Sequence, residues 1–117
     1  MILSASYNQT SIKEIKNSFV VNKVKEIVRR YDEQADIILF GSRARGDWHE
    51  ESDWDILVLT KEKVTYELED KLFDVLYSVT LQIFHPINFI LVNENDWLTK
   101  PAYYSLSLGI ENEKISL

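Results

Sequence analysis

The residues with the clearest chemical potential are two aspartates separated by one tryptophan, Asp53-Trp54-Asp55. They open the apolar run DWDILVL at residues 53–59, which has the composition of a buried strand. Side chains two apart on a strand project from the same face, with Cα atoms about 6–7 Å apart. Two carboxylates so placed can share hard cations such as Mg²⁺, which prefer oxygen ligands. The alternative is that both acids only cap the strand end in water.

A second feature, Gly41-Ser42, directly follows the apolar run DIILF at residues 36–40. Glycine permits a sharp bend and lets a ligand approach the backbone closely. If a helical turn begins here, its unpaired N–H groups form an anion site suited to phosphates, and Ser42 adds a hydroxyl donor. The alternative is an ordinary turn, because the chain has neither a P-loop ending nor a GxGxxG motif.

The same loop carries two arginines, Arg43 and Arg45. Arginine binds phosphates through paired N–H donors, so Arg43 is a candidate nucleotide ligand. The competing interpretation pairs both arginines with the loop acids Asp47, Glu50 and Glu51.

Alternating helical and strand patterns surround these residues. Apolar spacing predicts a helix over residues 11–31, opened by a capping box of Ser11 and Glu14. The further predicted elements are strands at 36–40, 53–59 and 87–92, a loop at 42–52, an amphipathic helix at 64–83, a helical stretch capped by Asn93 and a fourth strand in the tail KISL. This order predicts an α/β (α+β) fold, a small mixed β-sheet of three to four strands flanked by helices, as a single domain over residues 1–117.

Composition limits the classes of function. The chain has 117 residues, no cysteine, and 19 acidic against 13 basic residues, for a net charge of −6. The absence of cysteine excludes disulfide scaffolds, thiolate zinc sites and cysteine nucleophiles. The acidic balance argues against direct nucleic-acid binding and favours a ligand carried in with its cations, or a basic protein partner. Without a signal peptide or a membrane-length apolar run, a cytoplasmic protein is expected.

The combined spacing resembles the signature of the nucleotidyltransferase superfamily that includes DNA polymerase β. A strand ends in Gly41-Ser42, a polar loop follows at 43–52, and Asp53-Trp54-Asp55 opens the next strand. The sequence Gly-Ser-Arg-Ala-Arg-Gly followed by Ser-Asp-Trp-Asp-Ile-Leu-Val is similar to the minimal nucleotidyltransferases of bacteria and archaea. The resemblance extends over nearly the whole chain.

The resemblance implies a role for each matching residue. Gly41 and Ser42 would hold the triphosphate of a nucleotide, and Asp53 and Asp55 would ligate a pair of Mg²⁺ ions. The reaction would transfer a nucleoside monophosphate, AMP from ATP, to a hydroxyl group and release pyrophosphate. Positioning and charge neutralisation dominate such a step.

One position departs from the family pattern. The third strand of the family carries a carboxylate between apolar residues, whereas this chain has Ile87-Asn88-Phe89. A neutral amide cannot act as a general base, and it should weaken binding of the catalytic metal. Two hypotheses follow: an active enzyme that tolerates Asn88 or recruits another carboxylate, or a degenerate domain that binds nucleotide or partner without turnover. The candidate replacement carboxylates are Asp36, Glu94 and Asp96.

The resemblance also implies a partner. Minimal nucleotidyltransferases commonly pair with a separately encoded helical HEPN protein, and in several pairs they act as antitoxins that add AMP to a tyrosine of the HEPN ribonuclease. An acidic face that docks a more basic HEPN protein is therefore expected here, with self-association left open. Trp48 and Trp54 are candidate contact residues. Trp54 is expected to pack inside, on the face opposite the aspartates.

Overall fold

A computed structural model describes residues 18–117 as a four-stranded mixed sheet flanked by helices. The strands are β1 (Asp36–Phe40), β2 (Trp54–Thr60), β3 (Ile87–Asn93) and β4 (Ile115–Ser116), and the helices are α1 (Phe19–Tyr31), α2 (Ser42–Arg45), α3 (Tyr66–Ile83), α4 (Glu94–Thr99) and α5 (Tyr104–Glu111). The sheet order is β3-β2-β1-β4; β1 is antiparallel to β2 and β4, and β2 is parallel to β3. The predicted fold class is confirmed. In the described range, none of the helices is long and apolar enough to cross a membrane.

The first helix differs from its prediction. Helix α1 begins at Phe19, because Ser18 adopts an extended conformation with φ −68° and ψ 153°. The Ser18 hydroxyl accepts a hydrogen bond from the Val21 N–H, as an N-cap residue does. One continuous helix over residues 11–31 is therefore wrong. The proposed capping box of Ser11 and Glu14 lies outside the described residues.

Both faces of the sheet are covered, as the apolar strands predict. Alternate residues of β1 and β2 face α1 and α3, where the larger core forms around Leu39, Ile56 and Leu72. The intervening residues, among them Leu57, join a smaller cluster with Ile110 of α5. This two-sided covering makes β2 the buried centre of the sheet and leaves its first residues at one open edge.

The C-terminal part contains the predicted helical stretch in three pieces. The Asn93 side chain caps α4 by accepting from the N–H groups of Asn95 and Asp96. Pro101 then starts a 3₁₀ turn over Pro101–Tyr103, since Lys100 before it is extended and a proline cannot continue the N–H ladder. After α5 the tail forms the predicted fourth strand, β4, beside β1.

The register of the three longer strands determines what meets at the open edge. Phe40, the last residue of β1, pairs with Asp55, and Asp55 pairs with Asn88 of β3. The turn after β1, the start of β2 and the start of β3 are consequently neighbours.

Candidate active site

The two aspartates lie side by side at the start of β2. The Asn88 side-chain nitrogen is 3.2 Å from Asp53 Oδ2 and 2.9 Å from Asp55 Oδ1, so one amide group bridges both carboxylates. Asp53 is exposed and lies just before the strand, while Asp55 is half-buried. Trp54 is only 7% exposed and belongs to the larger core, which is the opposite-face packing expected for it.

Gly41 lies directly under one of these acids. Its backbone has φ 76° and ψ −161°, a region that side chains rarely allow. A Cβ added to Gly41 would stand 2.1 Å from Asp55 Oδ2. The position therefore requires glycine both for its backbone angles and for the space occupied by the carboxylate.

The helical turn that was one of two alternatives after Gly41 is present as α2, inside the range predicted as a loop. Its first hydrogen-bonded amide is that of Ala44, which donates to the Gly41 carbonyl over 3.0 Å. The N–H groups of Ser42 and Arg43 precede it, and the first amides of a helix have no acceptor within the helix. Gly46 ends the turn in the left-handed conformation, with φ 90°. The turn thus presents backbone donors beside the paired acids, an arrangement that suits a bound phosphate.

Arg43 points into the loop that joins α2 to β2. Its Nε and Nη2 donate to the Ser52 carbonyl over 3.2 and 2.9 Å, and Nη2 also reaches the Glu50 carbonyl at 3.4 Å. Its Cζ lies 4.7 Å from the Trp48 ring centroid and 4.5 Å from that of Trp54. Burial lowers the pKa of Arg43, and the charge of Asp53 opposes that shift. Its contact with Glu50 is through the main chain, not the carboxylate, and its role as a nucleotide ligand remains a prediction.

Glu113 is a site neighbour that sequence analysis missed. One carboxylate oxygen accepts from the Gly41 N–H over 3.0 Å, and the other from Arg45 Nη1 over 3.0 Å. This bond to Glu113, and then the bond to Asp47, raise the pKa of Arg45. Glu113 comes 72 residues after Gly41, so no local spacing connects the two. The available signal is weak, because Glu113 is one of two glutamates, with Glu111, just before the last strand.

None of the candidate replacement carboxylates lies at the site. Asp36 is at the opposite end of β1 from Phe40, about 13 Å away by strand rise. Glu94 follows the far end of β3 and pairs with Lys61. Asp96 pairs with Lys100 over 3.5 Å on α4. The hypothesis that one of these acids replaces the missing carboxylate is therefore wrong.

The donor set at the edge comprises two carboxylates and one amide. Within residues 18–117, no group of three or more histidine, aspartate or glutamate side chains could hold a metal ion. Mg²⁺ is usually bound by one or two carboxylates and completed by waters and substrate phosphates. Asp53 and Asp55 fit such a partial shell, next to the turn where phosphates would enter.

A mixed sheet with a glycine turn beside paired carboxylates is the arrangement that the resemblance to nucleotidyltransferases implies. The chain belongs to the nucleotidyltransferase domain family, which matches residues 21–101. It is also similar to "Putative protein adenylyltransferase MJ0141" from Methanocaldococcus jannaschii, with 46% identity over 46 residues. That match spans 39% of this chain and 46% of the relative.

A solved structure shares the fold. It is described as the crystal structure of the toxin-antitoxin with AMP-PNP, and it superposes with a TM-score of 0.59 at 18% sequence identity. The match covers 81% of this chain and 69% of the other.

Proposed function

We propose that this chain is a metal-dependent nucleotidyltransferase that moves AMP from ATP to a hydroxyl group on a partner protein. The observation that carries the proposal is the position of Asp55, whose carboxylate lies over Gly41 and shares the Asn88 amide with Asp53. In the reaction, the acceptor oxygen bonds to the α-phosphorus, the bond from that phosphorus to the bridging oxygen breaks, and pyrophosphate leaves. The hydroxyl proton passes to solvent.

Each residue has a defined task in this proposal. The backbone donors of Ser42 and Arg43 would orient the triphosphate, since the Gly41 N–H is bonded to Glu113, and Asp53 and Asp55 would hold Mg²⁺. When bound, Mg²⁺ neutralises charge on the phosphates. A second Mg²⁺ ion remains a prediction, since the third ligand position is the neutral Asn88. The protein contributes positioning and electrostatics more than covalent chemistry.

An exposed aromatic stripe on α3 supports a protein acceptor. Five large apolar residues recur at helical spacing along one flank of α3 and its C-cap: Tyr66, Phe73, Tyr77, Leu81 and Phe84. Phe73 packs edge-on against Phe89 of β3, so the stripe borders that edge strand. Phe84 is two residues before Pro86, whose carbonyl accepts from the Trp54 N–H at the start of β2. A protein bound along the stripe would consequently reach the edge that carries the acids. Contiguous exposed apolar residues commonly mark such contacts.

The nature of the partner follows from charge and from the relatives. Asp70 and Asp74 accompany the stripe on α3, and the net charge is −6, so a basic partner is favoured. A relative named as a protein adenylyltransferase and a toxin-antitoxin structure with the same fold support an antitoxin role beside a HEPN-family protein. Trp54 is buried and is removed from the candidate contacts, whereas Trp48 is 43% exposed and is retained.

A second candidate function rests on Asn88. Its amide nitrogen lies between the two carboxylates, where it donates one hydrogen bond to each. Because the Asn88 amide already donates to Asp53 and Asp55, a bound cation would stabilise these carboxylates less. On this hypothesis the chain binds nucleotide or the HEPN protein without turnover.

The test is transfer of label from [α-³²P]ATP with Mg²⁺ to a HEPN-family protein supplied as the candidate partner. The proposal expects labelled partner, and loss of the label with Asp53→Ala. Asp36→Ala is the matched control, because Asp36 is an exposed carboxylate at the other end of β1. Unlabelled partner from a chain that still binds ATP contradicts turnover and favours the binding module, especially if Asn88→Asp then restores labelling.

Docking through the stripe has a separate test. Tyr77→Ser combined with Leu81→Ser should reduce labelling of the partner while ATP binding, measured by calorimetry, stays unchanged. Both side chains are more than half exposed, so the fold should tolerate the change. Equal labelling by the double variant would place the acceptor contact elsewhere.

A further inference from the structure

We infer that Arg43 is a positioning residue that holds Asp53 in place against the phosphate turn, and not a phosphate ligand. The inference rests on the proposed function, because it concerns the metal that Asp53 and Asp55 would bind. Arg43 comes directly after Ser42, and its side chain reaches across the loop to the residue before Asp53.

The hydrogen bonds act on the peptide unit that orients the acid. The Ser52 carbonyl belongs to the peptide bond that leads into Asp53, and it accepts from both Nε and Nη2 of Arg43. Ser52 is also held by a local turn, in which its hydroxyl accepts from the His49 N–H and its own N–H donates to the His49 carbonyl, each over 2.9 Å. The direction in which Asp53 leaves the loop is therefore determined by the guanidinium.

Two indole rings hold the guanidinium itself. Trp48 of the loop and Trp54 of β2 both lie within 5 Å of its Cζ, at 4.7 and 4.5 Å. A planar guanidinium can stack on aromatic rings while it donates two hydrogen bonds in its plane, and an ammonium group cannot do both. Only arginine fits this arrangement.

Burial and donor direction oppose a direct role on phosphate. Arg43 is 7% exposed, and its side-chain hydrogen bonds end on the Ser52 and Glu50 carbonyls of the loop. A phosphate could bind the Arg43 guanidinium only if the hydrogen bonds to the Ser52 and Glu50 carbonyls were broken.

A positioning role and a purely electrostatic role of Arg43 predict opposite changes in cation affinity when the side chain is replaced. Removing a positive charge close to Asp53 should strengthen cation binding if Arg43 acts through its charge alone. Removing a support of the ligand should weaken it, by about tenfold for typical supports of metal ligands. Arg43→Met removes charge and support, whereas Arg43→Lys removes the support and keeps the charge.

The experiment measures Mn²⁺ affinity by calorimetry, without nucleotide, on the whole chain. We expect Arg43→Lys to bind Mn²⁺ about tenfold more weakly, and Arg43→Met to lose less, because it also removes a positive charge that opposes the cation. Arg30→Met, which removes an exposed arginine at the end of α1, should match the wild type. The ratio of ATP to AMP affinity should be the same in all four proteins, because no phosphate contact is lost.

A milder variant keeps the test informative if Arg43 variants unfold. Trp48→Leu removes one stacked ring that is partly exposed and leaves the hydrogen bonds of Arg43 available. It should weaken Mn²⁺ binding by about threefold, the value of one exposed cation–π contact. Thermal melts of each variant verify that the fold is intact.

The outcomes separate this inference from the proposed function. Unchanged or tighter Mn²⁺ binding by Arg43→Lys overturns the positioning role, as does a loss confined to ATP in Arg43→Met that Arg43→Lys restores. Equal Mn²⁺ binding by the wild type and Asp53→Ala overturns the metal site, and with it the proposed function and this inference together.

Discussion

Aspartates lie near both ends of strand β2, but their hydrogen-bond environments are opposite. Asp32, the residue after α1, lies beside the last residues of β2. It accepts from the Thr60 hydroxyl and the Lys61 N–H, each over 2.8 Å, and from the Gln34 N–H over 2.9 Å. At the first residues of β2, Asp53 and Asp55 share the amide of Asn88.

The difference separates an acid that stabilises the fold from two acids that, in the proposed function, bind a metal ion. Burial raises the pKa of Asp32, but its hydrogen bonds from Lys61, Thr60 and Gln34 outweigh that effect, and the pKa is lowered overall. Asp53 and Asp55 are like charges held close together, which costs stability until a cation binds. Under the proposed function, stability is given up where the metal site needs the charge.

The largest expected effect comes from removing one charge of the pair. Asp55→Asn should lower nucleotide transfer at least about 100-fold, the scale on which groups that stabilise transition-state charge act. Its free energy of unfolding in urea should equal or exceed that of the wild type, because a repulsion is relieved. Clear destabilisation would mean that Asp55 is a structural acid like Asp32, and that the contrast between the two ends is false.

The second-largest expected effect concerns the contact between Gly41 and Asp55. Gly41→Ala places a Cβ 2.1 Å from Asp55 Oδ2 at a residue with φ 76°, so Asp55 must move. We expect a stability loss of about 2 kcal/mol and at least tenfold weaker Mg²⁺–ATP binding, by urea denaturation and calorimetry.

Gly46→Ala is the matched control for that prediction. Gly46 has a comparable φ of 90°, and a Cβ there meets nothing within 4 Å. Gly46→Ala should lose about 1 kcal/mol of stability through backbone strain and should bind ATP normally. Equal ATP binding by both variants would show that the space over Gly41 is unimportant.

The smallest expected effect concerns the opposite end. Asp32→Asn should lose about 1–2 kcal/mol of stability at pH 7 with unchanged ATP binding, because hydrogen bonds to a charged acceptor are weakened. The folded-state pKa of Asp32 lies below the ordinary value of 3.8, so its stabilisation is complete above that value and is lost as pH falls through the folded pKa.

Urea denaturation at pH 7 and at about pH 2.5 tests this prediction. The difference in free energy of unfolding between the wild type and Asp32→Asn should be smaller in acid. Asp36→Asn is the control, an exposed carboxylate whose partner Lys61 is 3.8 Å away. A deficit that stays constant across this pH range would remove the charge of Asp32 from the explanation.

The local sequence was sufficient for the strands, for the helix between β2 and β3, and for the pairing of the acids, but not for the bounds of the first helix. A two-residue repeat puts Asp53 and Asp55 on one side and Trp54 on the other, whatever the surrounding fold. A glycine after an apolar run made a helical turn one of two interpretations, and that turn is present as α2. These features depend on neighbours along the chain, and the structure has them.

Tertiary structure alone decided which partners these residues meet. Arg43 has loop acids nearby in sequence, yet its guanidinium bonds to the Ser52 carbonyl and lies against two indoles, because the folded loop brings those groups together. The approach of Glu113 to Gly41 depends on β4 pairing with β1, a contact between distant parts of the chain. Spacing determines the direction of a side chain, and only packing determines what stands there.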